Sequence, residues 1–434
     1  MVRFLLLSLS LTLGAALHAQ SEPTSSASVP SVVLSPGDVA LAYEFSPLPQ
    51  IPADHSNAVA DNADAALLGQ ALFYDPRLSG DGKISCSTCH LPNMSFGDGR
   101  ALAKGVSDHS RHAMTLWNVA YNRWFFWDGR KDTLWSQALA PLEDGREHAT
   151  SRLAVAHVLA NDPDYSRAYK ALFGPLPDLS DSQRFPSDAR PSRTEPDHPH
   201  VLAWTKMDGP DQELVNDVYV NVGKSIAAFE RRLVSRRAPF DVFVEGLREG
   251  DAQKLAAISP GAQRGFALFA GKGQCFICHD GPNFSDGEFH SNRLPIGEEF
   301  DPGRATGIRQ ILSDPFNLNS RFSDDGGRLG RTRLAIAPRQ LHIPGDFKTP
   351  TLRNVARTAP YMHDGQLATL SDVLHFYSTL ENAAPADPTG EQLIQPRDFS
   401  EAERDDLISF LNSLTDESLP VALHGPPATL FESR

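Results

Sequence analysis

After its first twenty residues the sequence has no long apolar run, it has no excess of basic charge, and it holds only four cysteines among 434 residues. The first absence leaves nothing in the mature chain that could span a bilayer, which takes about 20 predominantly apolar residues. A net charge of −14 argues against nucleic acid as a partner, because phosphate is met by a basic face. Such an acidic surface suits a basic protein partner as well as plain solubility. Convincing period-two alternation is also scarce, so the expected fold is mainly α-helical. The length is enough for two or three domains.

The amino terminus reads as a secretory signal over residues 1–19, with Arg3 as the positive charge, an apolar run from Phe4 to Leu17, and Ala19 as the small residue at the cut. A terminal extension over 20–62 follows, of which Ser21 to Pro36 has the composition of a disordered segment. The expected location is the periplasm. Four cysteines in an exported chain would ordinarily form disulfides. Here they fall in two tight pairs, Cys86-Ser87-Thr88-Cys89-His90 and Cys275-Phe276-Ile277-Cys278-His279. This is the C-x-x-C-H pattern in which two thiols form thioethers to a porphyrin and the adjacent histidine ligates iron, so two covalently bound haem c groups are expected.

An internal repeat surrounds the two motifs. Gly69-Gln70-Ala71-Leu72-Phe73 precedes the first as Gly265-Phe266-Ala267-Leu268-Phe269 precedes the second. Beyond them, Thr115-Leu116-Trp117-Asn118-Val119-Ala120 corresponds to Thr351-Leu352-Arg353-Asn354-Val355-Ala356, and without a gap Asp128-Gly129 falls on Asp364-Gly365 and Thr133-Leu134 on Thr369-Leu370. The chain therefore reads as two duplicated haem domains, 63–240 and 241–420, with a tail over 421–434. Pro175 to Gln212 has the composition of an exposed loop insertion. Asp280 to Asp346, rich in Gly, Asp and Arg, reads as a structured loop over the second haem or a docking surface. The spacing of Val215, Val218, Val222, Ile226, Phe229 and Leu233 predicts an amphipathic helix closing the first domain, and Ser400 to Leu414 predicts a capped terminal helix.

Carrying the gap-free register onward pairs Gln137 with Val373 and Pro141 with Tyr377. If these positions lie over equivalent haem faces, the first iron faces a residue that cannot ligate and the second a phenol that can.

The segment Leu68-Gly69-Gln70-Ala71-Leu72-Phe73-Tyr74-Asp75-Pro76-Arg77-Leu78-Ser79, the first haem motif, Trp127-Asp128-Gly129-Arg130, Thr349-Pro350-Thr351-Leu352-Arg353-Asn354-Val355 and Ala359-Pro360-Tyr361-Met362-His363-Asp364-Gly365 resemble the bacterial di-haem cytochrome c peroxidases and their MauG branch, over Leu68 to Leu414. The resemblance implies two cytochrome-c-like domains, with a peroxide-reactive haem in the first and a high-potential or electron-storing haem in the second. It makes His90 and His279 the proximal ligands, Trp127 the residue between the haems, and Gln137 and Glu147 the distal pair with Pro141 between them. Tyr377 takes the distal position of the second haem, as in MauG, with Met362 and His363 assigned to a structural turn. It further implies calcium at main-chain oxygens of Thr358 and Pro360, although His112 stands where asparagine is expected. Lys104 occupies the place of the histidine that ligates the resting first haem in many such peroxidases. His109 and His112, out of register, read as surface or structural histidines. The expected activity is MauG-like, using hydrogen peroxide to oxidise a protein partner. The alternatives are an ordinary peroxidase fed by a small redox protein, and a non-catalytic di-haem electron carrier.

Overall fold

The computed structural model describes residues 32–295, 300–337, 345–386, 392–416, 418 and 420–430. The expected signal at 1–19 and most of the segment read as disordered lie outside the described residues. The fold is mainly helical, and the two-residue strands Phe289–His290 and Phe347–Lys348, paired antiparallel, form the one sheet among the described residues. No described helix is long and apolar enough to cross a membrane.

Each half is organised by a crossing of two helices. In the first, the helix Ala63–Phe73, capped by Asn62, lies across Gly209–Glu230, on which Val215, Val218, Val222, Ile226 and Phe229 are all buried. In the second, Pro260–Ala270, capped by Ser259, crosses Glu401–Asn412, whose start is closed by the reciprocal Ser400 and Glu403 capping box. The glycine shared by the repeat explains why both crossings are so close. A Cβ on Gly69 would stand 1.8 Å from the main-chain oxygen of Ser225, and one on Gly265 would stand 2.0 Å from that of Asp406. Only a residue without a side chain lets one backbone rest on the other there.

The duplication is structural as well as sequential. Asn118 and Asn354 both take left-handed conformations, at φ 61° and 60°, and each opens a short 3-10 turn. Thr133 and Thr369 both cap the helix that follows, Leu134–Glu143 and Leu370–Thr379 respectively. One core gathers Leu72, Phe73, Trp117, Trp135 and Leu139 under the Gly209–Glu230 helix. The other is a cluster of phenylalanines, Phe240, Phe266, Phe269, Phe284 and Phe410. In the described part of the amino-terminal extension a helix runs over Pro36–Phe45, and Phe45 packs 4.9 Å from Phe284 in the second core. Phe240, the last residue of the expected first domain, also packs there, on the helix Pro239–Glu249.

Both segments read as insertions carry more structure than their composition suggests. Pro175 to Gln212 includes the helix Pro199–Lys206 and buries Phe185, Val201, Trp204 and Met207. The described part of Asp280 to Asp346 clasps the first half. Phe316 enters the first core, Leu318 N–H donates to Asp132 at 2.9 Å, and Lys224 pairs with Asp324 at 2.7 Å. Arg304 is fully buried, lying 4.3 Å from the centre of the Trp124 ring and donating to the Gly129 carbonyl at 2.9 Å. Its many charges, which in sequence suggest solvent, meet partners across the two halves. The tail folds back in the same way, since Gln70 Nε2 donates to the carbonyls of Ala422 and Gly425 at 2.8 and 2.6 Å.

Replacing Gly69 with alanine should destabilise the protein by at least ~1–3 kcal/mol, because the clash is with main chain that cannot rotate away. Gly209→Ala, whose Cβ would meet nothing within 4 Å, is the control. Denaturant midpoints of the two variants should separate, and equal midpoints would refute the close-crossing argument.

Candidate haem sites

Cys86–Cys89 form one helical turn, and His90 N–H closes it by donating to the Cys86 carbonyl at 3.0 Å. The second motif repeats this with a 3-10 turn over Cys275–Ile277 and a 2.9 Å bond from His279 N–H to Cys275. The imidazoles are set alike: Nδ1 of His90 lies 2.9 Å from the Phe96 carbonyl, and Nδ1 of His279 lies 3.0 Å from that of Phe284. Burial holds both rings below the ordinary histidine range, hence neutral. A neutral ring that donates from Nδ1 presents the lone pair of Nε2, the atom an iron would take. None of the four thiols is in a disulfide. Among the described residues the one cluster of three possible side-chain metal ligands is His109, Asp144 and Glu147, so no cysteine contributes to a zinc-type site. The residues present fit a thioether-bound haem in each half.

Beside Cys89 and His90 lies a cavity, and a smaller space continues past Cys86 and Pro141. Gln137 and Glu147 border both spaces. The Gln137 amide oxygen is buried without a partner among the described residues, an acceptor left for a ligand. Burial, with Asp144 adding repulsion, pushes the Glu147 carboxyl up to about 7. Pro141 offers no ligating atom. It occupies the eighth position of Leu134–Glu143, and Tyr377 occupies the same position of Leu370–Thr379. The Tyr377 phenol is buried within electrostatic reach of the Cys275 and Cys278 thiols with Asn292 beside it, and burial holds its pKa well above the ordinary range. Asn292 Nδ2 also reaches the Met362 sulfur at 3.6 Å, so the two candidate ligand types share a neighbour.

Trp127 stands between the halves. Its indole N–H donates to the His112 carbonyl at 2.9 Å, while His112 N–H donates to the His363 carbonyl at 2.8 Å. The Trp127 ring meets the His363 ring edge-on at 6.5 Å, and His363 stacks on Phe347 at 3.7 Å. His363 thus takes part in this contact. Thr358 and Pro360 lie in the segment just before it, outside the one side-chain ligand cluster.

In the loop before Trp127 the structure differs from the sequence reading at His109. The Lys104 side chain is half-exposed and pairs with Asp108 at 3.5 Å rather than entering the cavity. His112 is structural, with Nδ1 2.7 Å from the Arg100 carbonyl. His109, by contrast, lines the cavity, with Nε2 3.6 Å from Glu147 Oε1. Two further buried groups went unread, Lys348 in the larger space and Glu230 in the smaller. Glu230 had a signal: it continues the Val222, Ile226 stripe by another four residues, a carboxyl on an apolar face.

A profile of the di-haem cytochrome c peroxidase family matches residues 63–249. The cytochrome-c peroxidase IdrP1 of Denitromonas iodatirespirans is 33% identical over 380 residues, 85% of each chain. The chain belongs to the di-haem cytochrome c peroxidase and MauG family. The methylamine utilization protein MauG of Methylorubrum extorquens is 31% identical over 371 residues, covering 85% of this chain and 83% of that one. A MauG-like protein associated with microbial copper homeostasis superposes with a TM-score of 0.61 at 26% identity, over 88% of this chain and 98% of the other. The diheme peroxidase BthA of Burkholderia thailandensis, at 22% identity, a TM-score of 0.59 and coverage of 85% and 91%, shares the fold. Family membership makes the protein a peroxidase-family oxidoreductase carrying two haem c groups.

Matured protein should accordingly give two haems per chain in a pyridine haemochrome assay. Cys86→Ala with Cys89→Ala should leave one. A single haem in the unsubstituted protein would overturn the assignment of one site to each motif.

Proposed function

We propose that this chain is a MauG-like di-haem peroxidase, in which hydrogen peroxide reacts in the first pocket and oxidising equivalents pass by way of Trp127 to the second, for use on a protein partner. The observation that carries this reading is the exchange of Pro141 for Tyr377 at one helix position of the repeat. One pocket keeps an open face beside Glu147 and Gln137, and the other has an oxygen donor beside its thiols. Haem supplies the redox chemistry with peroxide. Glu147, partly desolvated and reached from the cavity, accepts a proton from one peroxide oxygen and returns it to the other, while the Gln137 carbonyl orients the peroxide. Trp127, linked through His112 to the main chain of His363, spans the gap between the pockets.

A second reading is an ordinary cytochrome c peroxidase drawing electrons from a small redox protein. The approach of Met362 to Asn292 beside Tyr377 favours it, and relatives carry both names. Rapid turnover with a reduced c-type cytochrome would support this second reading, whereas covalent change in a partner's tryptophan or tyrosine would support the first. Export to the periplasm fits either activity. A calcium ion at Thr358 and Pro360 would depend on backbone carbonyls, ligands that calcium readily accepts.

Glu147→Gln should keep both haems but slow the reaction with peroxide ~10²–10⁴-fold, the usual cost of losing a positioned acid and base. The carboxylate must be ionised to accept a proton, so in the unsubstituted protein the rate should fall as pH drops below about 7, the value to which burial raises Glu147. Stopped-flow rates that are flat across that range, or unaffected in the variant, would remove Glu147 from the mechanism. Tyr377→Met should raise the second haem's reduction potential, since an anionic oxygen donor favours ferric iron, by a measurable part of the ~0.8 V range that axial ligands govern. An unchanged potential and spectrum would take Tyr377 off the iron.

A further inference from the structure

The cavity wall opposite the first motif is formed by a short loop that closes on itself. Ala103 N–H donates to the Arg111 carbonyl at 3.0 Å, and His109 N–H donates to the Ala103 carbonyl at 2.8 Å. This loop is fastened main chain to main chain onto the segment that carries Glu147. Val106 N–H donates to the Glu147 carbonyl and Ser107 N–H to that of Arg146, each at 3.0 Å. Gly105 lies so close that a Cβ there would stand 2.6 Å from the Glu147 Cα. The side chains of His109 and Glu147 therefore meet because their backbones are fixed to one another, not by the chance placement of two long side chains.

The hydrogen bonding of the imidazole sets the sense of the contact. Arg111 N–H donates to His109 Nδ1 at 3.2 Å, so in the neutral ring the proton is on Nε2, the atom that faces Glu147 Oε1 at 3.6 Å. The ring is half-buried beside Arg146, Arg130 and Arg111, which together with desolvation hold its pKa down to about 4 despite Asp144. It remains a neutral N–H donor throughout the working pH range. Glu147 is faced by Asp144, Arg130 and Arg146, and its charge is felt at the Cys89 thiol, while Lys104 and Asp108 of the loop pair with each other. With no N–H donor at that oxygen, the carboxylate would be drawn toward the two arginines.

We infer that His109 is a positioning residue for Glu147, holding the carboxylate toward the cavity through its Nε2–H. This rests on the reading that Glu147 handles the peroxide proton. The separation of 3.6 Å is one that a small turn of the carboxyl closes, as such contacts tighten when the site is filled.

The test uses the full haem-loaded chain. His109→Phe should slow oxidation by peroxide roughly tenfold and move the pH midpoint of the rate upward by about one unit, since a donor to the ionised carboxylate is lost. His109→Gln, which keeps an N–H donor, should restore most of both. In a Glu147→Gln background, His109→Phe should have no further effect, because its partner is already gone. Haem content and the second haem's spectrum report folding in every variant. If Glu147→Gln is slow but His109→Phe matches the unsubstituted protein in rate and midpoint, the His109 inference fails alone. If Glu147→Gln is not slow, the underlying reading fails with it. A first haem that changes from low to high spin on His109→Phe would show the imidazole on iron and overturn the inference.

Discussion

In each half a carbonyl is turned back to receive the Nδ1–H of the motif histidine, and most of the site geometry depends on that bond. The carbonyl belongs to Phe96 or Phe284, residues held at φ 56° and 51°, a conformation that a bulky side chain adopts only when its surroundings impose it. The repeat supplies the constraint. Thr115 Oγ1 donates to the Ser95 carbonyl at 2.6 Å and Thr351 Oγ1 to the Asn283 carbonyl at 2.6 Å, so a threonine braces the residue just before each phenylalanine. The phenylalanine rings are themselves fully buried, one edge-on to Trp117 and the other within the phenylalanine cluster. Core packing thus fixes a backbone twist, the twist fixes a carbonyl, and the carbonyl fixes which nitrogen is left with a free lone pair.

On that common frame the halves diverge one position at a time. Trp117 fills the first core, whereas its counterpart Arg353 is completely buried and pairs with Asp241 at 2.8 Å while donating to the Pro282 carbonyl at 2.7 Å. A buried ion pair of this kind contributes little net stability, but removing either partner would strand a charge, so it fixes the fold more than it strengthens it. Asp241 also accepts from Ala238 N–H and Ser46 Oγ, which ties the amino-terminal segment to the second core. The change from Pro141 to Tyr377 is of the same kind, a single replacement on an equivalent helix that alters what a pocket can hold.

What the sequence made legible follows from where the determinants lie. The two C-x-x-C-H motifs, the repeated Gly-x-Ala-Leu-Phe helices and the Thr and Asn positions are local patterns whose geometry is set within a few residues, and all but the first turn of the motifs, α-helical in one and 3-10 in the other, take equivalent conformations in the two halves. The long Gly-, Asp- and Arg-rich segment was not legible, because Arg304 and Asp314 meet partners more than a hundred residues away, Trp124 and Gly129 for the first and Lys131 for the second. Composition alone cannot tell a solvated charge from a clasping one. His109 was missed for a related reason. Its position depends on a loop folding against Glu147 through main-chain bonds, which leave no trace in residue type. Glu230 could have been seen, since a carboxyl on a buried helical stripe breaks the pattern around it.

The contact between the halves combines two kinds of constraint with different physical effects. Aromatic rings of Trp127, His363 and Phe347 approach one another where the halves meet. Around them Arg111 bridges Asp128 of the first half and Asp301 of the second at 2.7 and 2.8 Å, with its guanidinium 5.5 Å from the Phe347 ring. Because this arginine is largely buried and bonded to both sides, relative movement of the halves would separate charges in a poorly solvated place, which costs several kcal/mol. The main-chain bonds His112 to His363 and Lys348 to Trp127 act in the same direction. The rings are therefore held at a fixed separation by electrostatics rather than by their own weak attraction. That separation follows from where the charged residues of the two halves meet.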